Sequence, residues 1–249
     1  MAGVFNGGKS TGVRSTGDPR FVYTEGPPPP TPADPPTLLD DGASTALVNS
    51  AVTATVSPSD DHLLVFIVST RDPNKRAAQS ASDTFGGLTW TRVGSAYQDA
   101  GGGQGAVTVF YAMGSGLGTG EVTAAFSDGD PIESHCWALF EIGNVPLGLG
   151  GANAVGNTDA DEESDPNTQF SSDMDVGSVS AGSQTIIATT INSAQNISLA
   201  DGWTELVERQ IGGPDQTLAV YYKQDDPSGS TSWAVASLYA SYAMEVLGL

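Results

Sequence analysis

The chain says nearly the same thing twice. In the first copy, Val56-Ser57 leads into the apolar run His62-Leu63-Leu64-Val65-Phe66-Ile67-Val68. Then come Trp90-Thr91-Arg92-Val93, Val107-Thr108-Val109-Phe110-Tyr111, Val122-Thr123-Ala124-Ala125-Phe126-Ser127 and Trp137-Ala138-Leu139-Phe140-Glu141-Ile142. In the second copy, Val179-Ser180 leads into Thr185-Ile186-Ile187-Ala188-Thr189-Thr190-Ile191. After it come Trp203-Thr204-Glu205-Leu206, Leu218-Ala219-Val220-Tyr221-Tyr222, Trp233-Ala234-Val235-Ala236-Ser237 and Tyr242-Ala243-Met244-Glu245-Val246. The order is kept, and Tyr111 to Val122 has the spacing of Tyr222 to Trp233. Short β-branched and aromatic runs between Gly, Ser and Asp clusters predict an all-β fold. Their duplication predicts a jelly-roll-like β-sandwich built from two pseudo-repeats.

The repeats cover about 46–146 and 172–249 of the 249 residues. Five or six strands per copy make a poor closed sandwich, so the expectation is one domain, 46–249, in which two interleaved halves cover each other's edges. A hydrophobic content of 39% suffices for a core. No window reaches the roughly 18 uninterrupted apolar residues of a membrane span, so no membrane partner is expected. The opening Met1-Ala2-Gly3-Val4-Phe5-Asn6 lacks a charged and then apolar leader, which predicts a protein made in the cytoplasm. Cys136 is the sole cysteine, which leaves no intrachain disulfide.

Charge is distributed unevenly. The net is −20, from 29 acidic and 9 basic residues, which speaks against nucleic acid as a partner of the body. Residues 1–25, by contrast, hold Lys9, Arg14 and Arg20 against Asp18 and Glu25, a slight basic excess. Residues 1–45 show no apolar period and run through Pro27-Pro28-Pro29-Pro30, Pro32, Pro35 and Pro36, a composition that favours an extended polyproline spacer. Phe5, Val13, Phe21, Val22 and Tyr23 are apolar anchors that a pure linker would not need. Residues 1–45 therefore read as an extended N-terminal arm that orders on a neighbouring subunit, with Lys9, Arg14 and Arg20 as its charged contacts.

Strand phase can be read in the run that ends the first copy. Alternation puts Cys136, Ala138, Phe140 and Ile142 on one face, fit for a core, and His135, Trp137, Leu139 and Glu141 on the other. Trp137 beside Leu139 predicts an outer surface covered by the arm, by a partner or by rim packing. His135 and Cys136 fall on opposite faces and cannot pair as imidazole and thiolate.

Catalytic motifs are scarce. Gly3-Val4-Phe5-Asn6-Gly7-Gly8-Lys9-Ser10 matches a phosphate loop in letters only, since no strand enters it and no helix leaves it. His62 reads as an exposed strand-end residue, and no G-x-S-x-G elbow supports a serine nucleophile. Glu141 and Glu245 hold equivalent places in the copies and are the carboxylate pair a glycosidase would need. The acidic stretch Asp159-Ala160-Asp161-Glu162-Glu163-Ser164-Asp165-Pro166 reads as a solvated loop, with Asp159, Asp161, Glu163 and Asp165 the ligands of a weak calcium site if there is one. Apart from that stretch, no metal site or cofactor is expected. Trp90, Trp203, Trp233, Tyr97, Tyr221 and Tyr222 are core aromatics or a sugar platform, and the equivalence of Trp90 and Trp203 favours core.

Gly87-Leu88-Thr89-Trp90-Thr91, Val109-Phe110-Tyr111-Ala112 and Val122-Thr123-Ala124, echoed by Gly202-Trp203-Thr204-Glu205-Leu206 and Ala219-Val220-Tyr221-Tyr222, resemble β-sandwich proteins encoded among the structural genes of tailed bacteriophages. The resemblance covers roughly 46–249 and is one of pattern. It implies a non-enzymatic virion structural protein, foremost an auxiliary capsid decoration (cement) protein anchored by the arm. Its partners would be the major capsid protein or other virion subunits, and its state a homo-oligomer such as a trimer. A carbohydrate-binding adhesin or a tail-fibre receptor-binding component is the alternative, and a hydrolase a third.

Overall fold

The computed structural model describes residues 28–72, 74, 76–98, 105–126, 131–162 and 169–249. Apolar runs supply the inner strands, and Gly, Asp and Ser supply the turns between them. The first half holds β1 (Thr37–Ser44), β2 (Ser50–Val52), β3 (Leu63–Arg71), β4 (Ala78–Asp83), β5 (Thr91–Gln98), β6 (Gly105–Ala112), β7 (Val122–Phe126) and β8 (Ser134–Ile142). A short 3-10 turn, Leu149–Ala154, joins the halves. The second half holds β9 (Val155–Glu162), β10 (Ser171–Asp175), β11 (Gln184–Ile191), β12 (Ile197–Leu199), β13 (Thr204–Ile211), β14 (Gln216–Gln224), β15 (Ser228–Trp233) and β16 (Tyr239–Val246). No α-helix occurs among the described residues.

The two halves share one topology. The first makes a five-stranded sheet, β1-β8-β3-β6-β5, and a three-stranded sheet, β2-β7-β4. The second makes β9-β16-β11-β14-β13 and β10-β15-β12, the same orders with eight added to every strand number. All pairs are antiparallel, and even a bulge recurs, between Arg92 and Gly94 in β5 and between Glu205 and Val207 in β13. The all-β, jelly-roll-like sandwich expected from the repeats is what forms.

Four layers result. Within the first half, Phe66, Val68, Phe110 and Leu139 of the five-stranded sheet meet Ala51, Val122, Ala124 and Phe126 of the three-stranded one. Ile187 and Ala243 meet Met174 within the second half, while Tyr221 and Tyr239 meet Ile197 and Trp233. The largest cluster lies between the halves, where Leu63, Val65, Ile67, Ala138 and Phe140 pack on Ile186, Ala188, Leu218, Val220 and Tyr242. Across that seam β1 packs on β13 and β5 on β9, while β8 packs on β14 and β6 on β16. The pairing is reciprocal, as in a two-fold dimer folded from one chain. Buried Gln216 crosses it, donating to Ser69 Oγ at 3.1 Å and accepting from Ser134 Oγ at 3.2 Å.

Several expectations need correcting. The halves do not interleave: each closes its own eight-stranded sandwich, and they join through the five-stranded sheets. Strand β1, inside the 1–45 segment assigned to the arm, is an edge strand paired with β8. Ala33 and Pro36 are buried as well, so the proline-rich stretch joins the body before β1. Residues 159–162, read as part of a solvated loop over 159–166, belong to β9, the counterpart of β1. The anchors Phe5, Lys9, Val13, Arg14, Arg20, Phe21, Val22 and Tyr23 lie outside the described residues.

The outer-face reading of Trp137 and Leu139 also changes. The phase was right, with Cys136 in the seam and Leu139 on the other face, but Leu139 is fully buried beneath the chain's own three-stranded sheet. Trp137 is half-buried at the rim. It lies on Gly42, where any Cβ would collide with the indole, and donates to Asp40 at 2.9 Å. The cover is the molecule itself.

Candidate functional site

In the second half the outer sheet does not seal. An open groove of about 550 Å³ lies between β10, β15 and the loop from β12 to β13. Alternation in β10 turns Ser172 and Met174 inward and Asp173 and Asp175 outward onto the groove wall. Asp173 accepts from Ser230 Oγ across the β10–β15 ladder, and Asp159 on β9 accepts from the Asp175 amide at 2.9 Å. The short turn Ala200-Asp201-Gly202 then delivers Trp203. Its ring passes so close to Gly229 that a Cβ there would sit 2.8 Å from it. Lys223 places its ammonium 5.9 Å from the ring centroid and 2.7 Å from Asp226 Oδ2. That hydrogen bond, helped by the Ser228 amide, lowers the Asp226 pKa. The groove thus combines the Trp203 indole with aspartates that outnumber the one lysine. It suits a ligand carrying hydroxyl groups or positive charge and repels anions.

The equivalent place in the first half is closed. Trp90 packs edge-on against Phe66 at 6.3 Å and donates to Asp83 at 3.0 Å. The longer loop after β4 wraps it, with Phe85 buried. The Asp83 carboxylate also accepts from the amides of Gly86, Gly87 and Leu88 at 2.8–2.9 Å. Burial pushes the Asp83 pKa up, but those four donors outweigh it and the net shift is downward.

The other candidate residues serve the fold. Glu141 accepts from the Ser59 amide at 2.7 Å and Ser59 Oγ at 2.9 Å, with His62 Nδ1 at 3.6 Å. Glu245 accepts from the Ser180 amide at 2.7 Å, Asn157 N at 3.1 Å and Ser183 Oγ at 2.9 Å. Each carboxylate ties the loop before β3 or β11 to the last strand of its own half. Both carboxylates are thus engaged by donors of their own half. Ser59 is therefore the counterpart of Ser180, a shift of two from the sequence match of Ser57 with Ser180.

His135 is buried between Phe126 and Trp137, each ring 5.5 Å away, and burial lowers its pKa to about 4. Burial pushes the Cys136 thiol up to about 12. Trp233 pairs with Tyr239 at 5.3 Å and 56°, as Phe126 pairs with His135 at 5.5 Å and 57°. Trp233 is thus the counterpart of Phe126 rather than of Val122. Tyr221 is buried with its hydroxyl on the Ile197 carbonyl, and Tyr222 packs against the seam. Of the six aromatics named from sequence, only Trp203 reaches the groove.

Asp161 accepts from Tyr239 Oη at 2.7 Å and Ser172 Oγ at 2.9 Å, so it too belongs to the fold. Glu163 and Asp165, like the phosphate-loop look-alike, lie outside the described residues. Among the described residues no group of three His, Cys, Asp or Glu side chains is placed to hold a metal ion. Asp173, Asp175, Asp201, Lys223 and Asp226 went unnoticed in the sequence, because turns and a polar edge strand bring them together over long separations. A comparison with family models, with curated proteins and with solved structures finds no match for this chain.

Proposed function

We propose that this protein is a non-enzymatic virion structural protein of a tailed bacteriophage, an auxiliary capsid decoration protein held to the particle by its N-terminal segment. The observation that carries the reading is how that segment meets the body. The Ala33 amide donates to Gly182 O at 2.8 Å in the second half, and Asp34 donates to Gly143 O at 3.0 Å in the first. Gln184 Nε2 adds a bond to Ala33 O at 3.1 Å. Whatever residues 1–30 grip is thereby coupled to both halves at once, as an anchored cap requires. The use of Glu141, Glu245, His135 and Cys136 in the fold supports a role without chemistry, and the acidic body suits a surface that stays soluble at high density.

Co-sedimentation with capsid shells tests this. Full-length protein is expected to pellet at fixed stoichiometry and a chain lacking residues 1–27 to stay in solution. The cut belongs there, since removing Ala33 and Pro36 would damage the body. Pelleting by the truncated form would defeat the arm as anchor, and no binding by either form would defeat the capsid reading.

The groove favours a second reading, a carbohydrate-binding adhesin on a tail or cell surface. Glycan-array binding lost on Trp203→Ala would carry that account.

A further inference from the structure

We propose that the Trp203 groove is the resting seat of this molecule's own N-terminal segment, residues 1–27. The inference rests on reading that segment as an arm. Its point of emergence comes first. Ala33 is bonded to Gly182, whose own amide donates to Asp225 Oδ1, and Asp225 adjoins Asp226 on the groove wall. Ala33, where the described chain joins the body, is therefore two hydrogen bonds from the residue next to the groove wall. The 27 residues of the segment could span about 90 Å if extended, ample to enter and cross the groove.

Charge supplies the second argument. The groove sets Asp173, Asp175, Asp201 and Asp226 against the single Lys223, whereas Lys9, Arg14 and Arg20 outnumber Asp18 and Glu25 in residues 1–25. Lys223 itself shows how a cation is received here, over the Trp203 ring and paired with Asp226. A tethered segment meets such a seat at millimolar effective concentration, so modest affinity fills it. While seated, the arm's basic residues are covered, and a particle surface must compete for them.

The test uses the full-length chain alone. Indole N–H resonances of the four tryptophans are recorded by NMR, with Trp203 assigned through Trp203→Phe. Replacing Lys9, Arg14 and Arg20 with Ser is expected to shift the Trp203 signal and leave the other three in place. Salt of about 0.5 M, which screens exposed charge, should shift it likewise. Carbodiimide coupling of an equal light and heavy isotope mixture should join Lys9 to Asp173, Asp175 or Asp201 within one molecule. Asp173→Asn, Asp175→Asn and Asp201→Asn together should abolish that link. An unmoved Trp203 signal, Lys9 links scattered over both halves, or light–heavy links would overturn the proposal. Failure of capsid pelleting with the link intact removes the anchor and leaves the seat.

Discussion

The two sandwiches share strand order, register and a bulge, yet their interiors differ in substance. Cross-strand pairing matches Phe66 with Ile187 and Leu139 with Ala243, because Phe66 faces Leu139 and Ile187 faces Ala243. By the same register Val68 corresponds to Thr189 and Trp137 to Ser241. The first half is filled by large apolar side chains. At these positions the second carries smaller or polar side chains, and Thr189 Oγ1 lies 2.9 Å from Ser241 Oγ and 3.2 Å from Thr231 Oγ1 in a buried hydroxyl chain. Topology therefore depends on which positions face inward, and the volume placed there is free to vary. The groove opens in the half that lost volume and shortened the loop before its tryptophan.

Core truncation should separate the halves most clearly. Phe66→Ala is expected to cost about 3–5 kcal/mol, against a smaller loss for Ile187→Ala, which removes fewer buried carbons. Urea unfolding of both variants checks this, and equal losses would break the contrast.

Acid comes next. Only the first half puts a histidine in the aromatic pair, where Tyr239 stands in the second. His135 has a folded pKa of about 4 against 6.5 for the free side chain, so between those values the unfolded chain binds the extra proton. Stability should fall as pH drops from about 6.5 to 4, by about 3 kcal/mol in all, and the loss should level off below that. His135→Phe should remove this part of the slope in melts across pH.

Glycine replacement discriminates more finely. Gly42→Ala drives a methyl into the stacked Trp137 and should cost about 1–3 kcal/mol. Gly229→Ala meets Trp203, which has the groove to retreat into, so the loss should be less in thermal melts. The smallest effect is expected for Thr189→Val, about 1 kcal/mol for hydroxyls left without their shared partner. Double-mutant cycles with Ser241→Ala would read the coupling directly.

How legible the fold was varied with burial. The apolar runs of β3, β6, β8, β11, β14 and β16 announced themselves, because strands covered on both faces are written in Val, Ile, Leu and Phe. Strands β1, β2, β4, β9, β10 and β12 did not. Ala78-Gln79-Ser80-Ala81-Ser82-Asp83 and Val155-Gly156-Asn157-Thr158-Asp159-Ala160-Asp161-Glu162 carry almost no apolar side chain, and neighbouring ladders hold them in place. Hence five or six strands per copy were counted where eight form. The groove was harder still. Trp203 was visible and read as core, which is half the truth, since it packs against the interior and lines the groove with its edge. Its acidic neighbours come from β9, β10 and two turns, which no local spacing reveals.

The reciprocal seam has a consequence in inheritance. In a dimer of identical chains every substitution is written twice, and both faces must tolerate it. Here the partners are encoded separately, so one can shed bulk and open a groove while the other stays closed. The pair cannot dissociate or exchange, so the half that carries the groove and the half that carries Trp90 on Phe66 stay in fixed proportion.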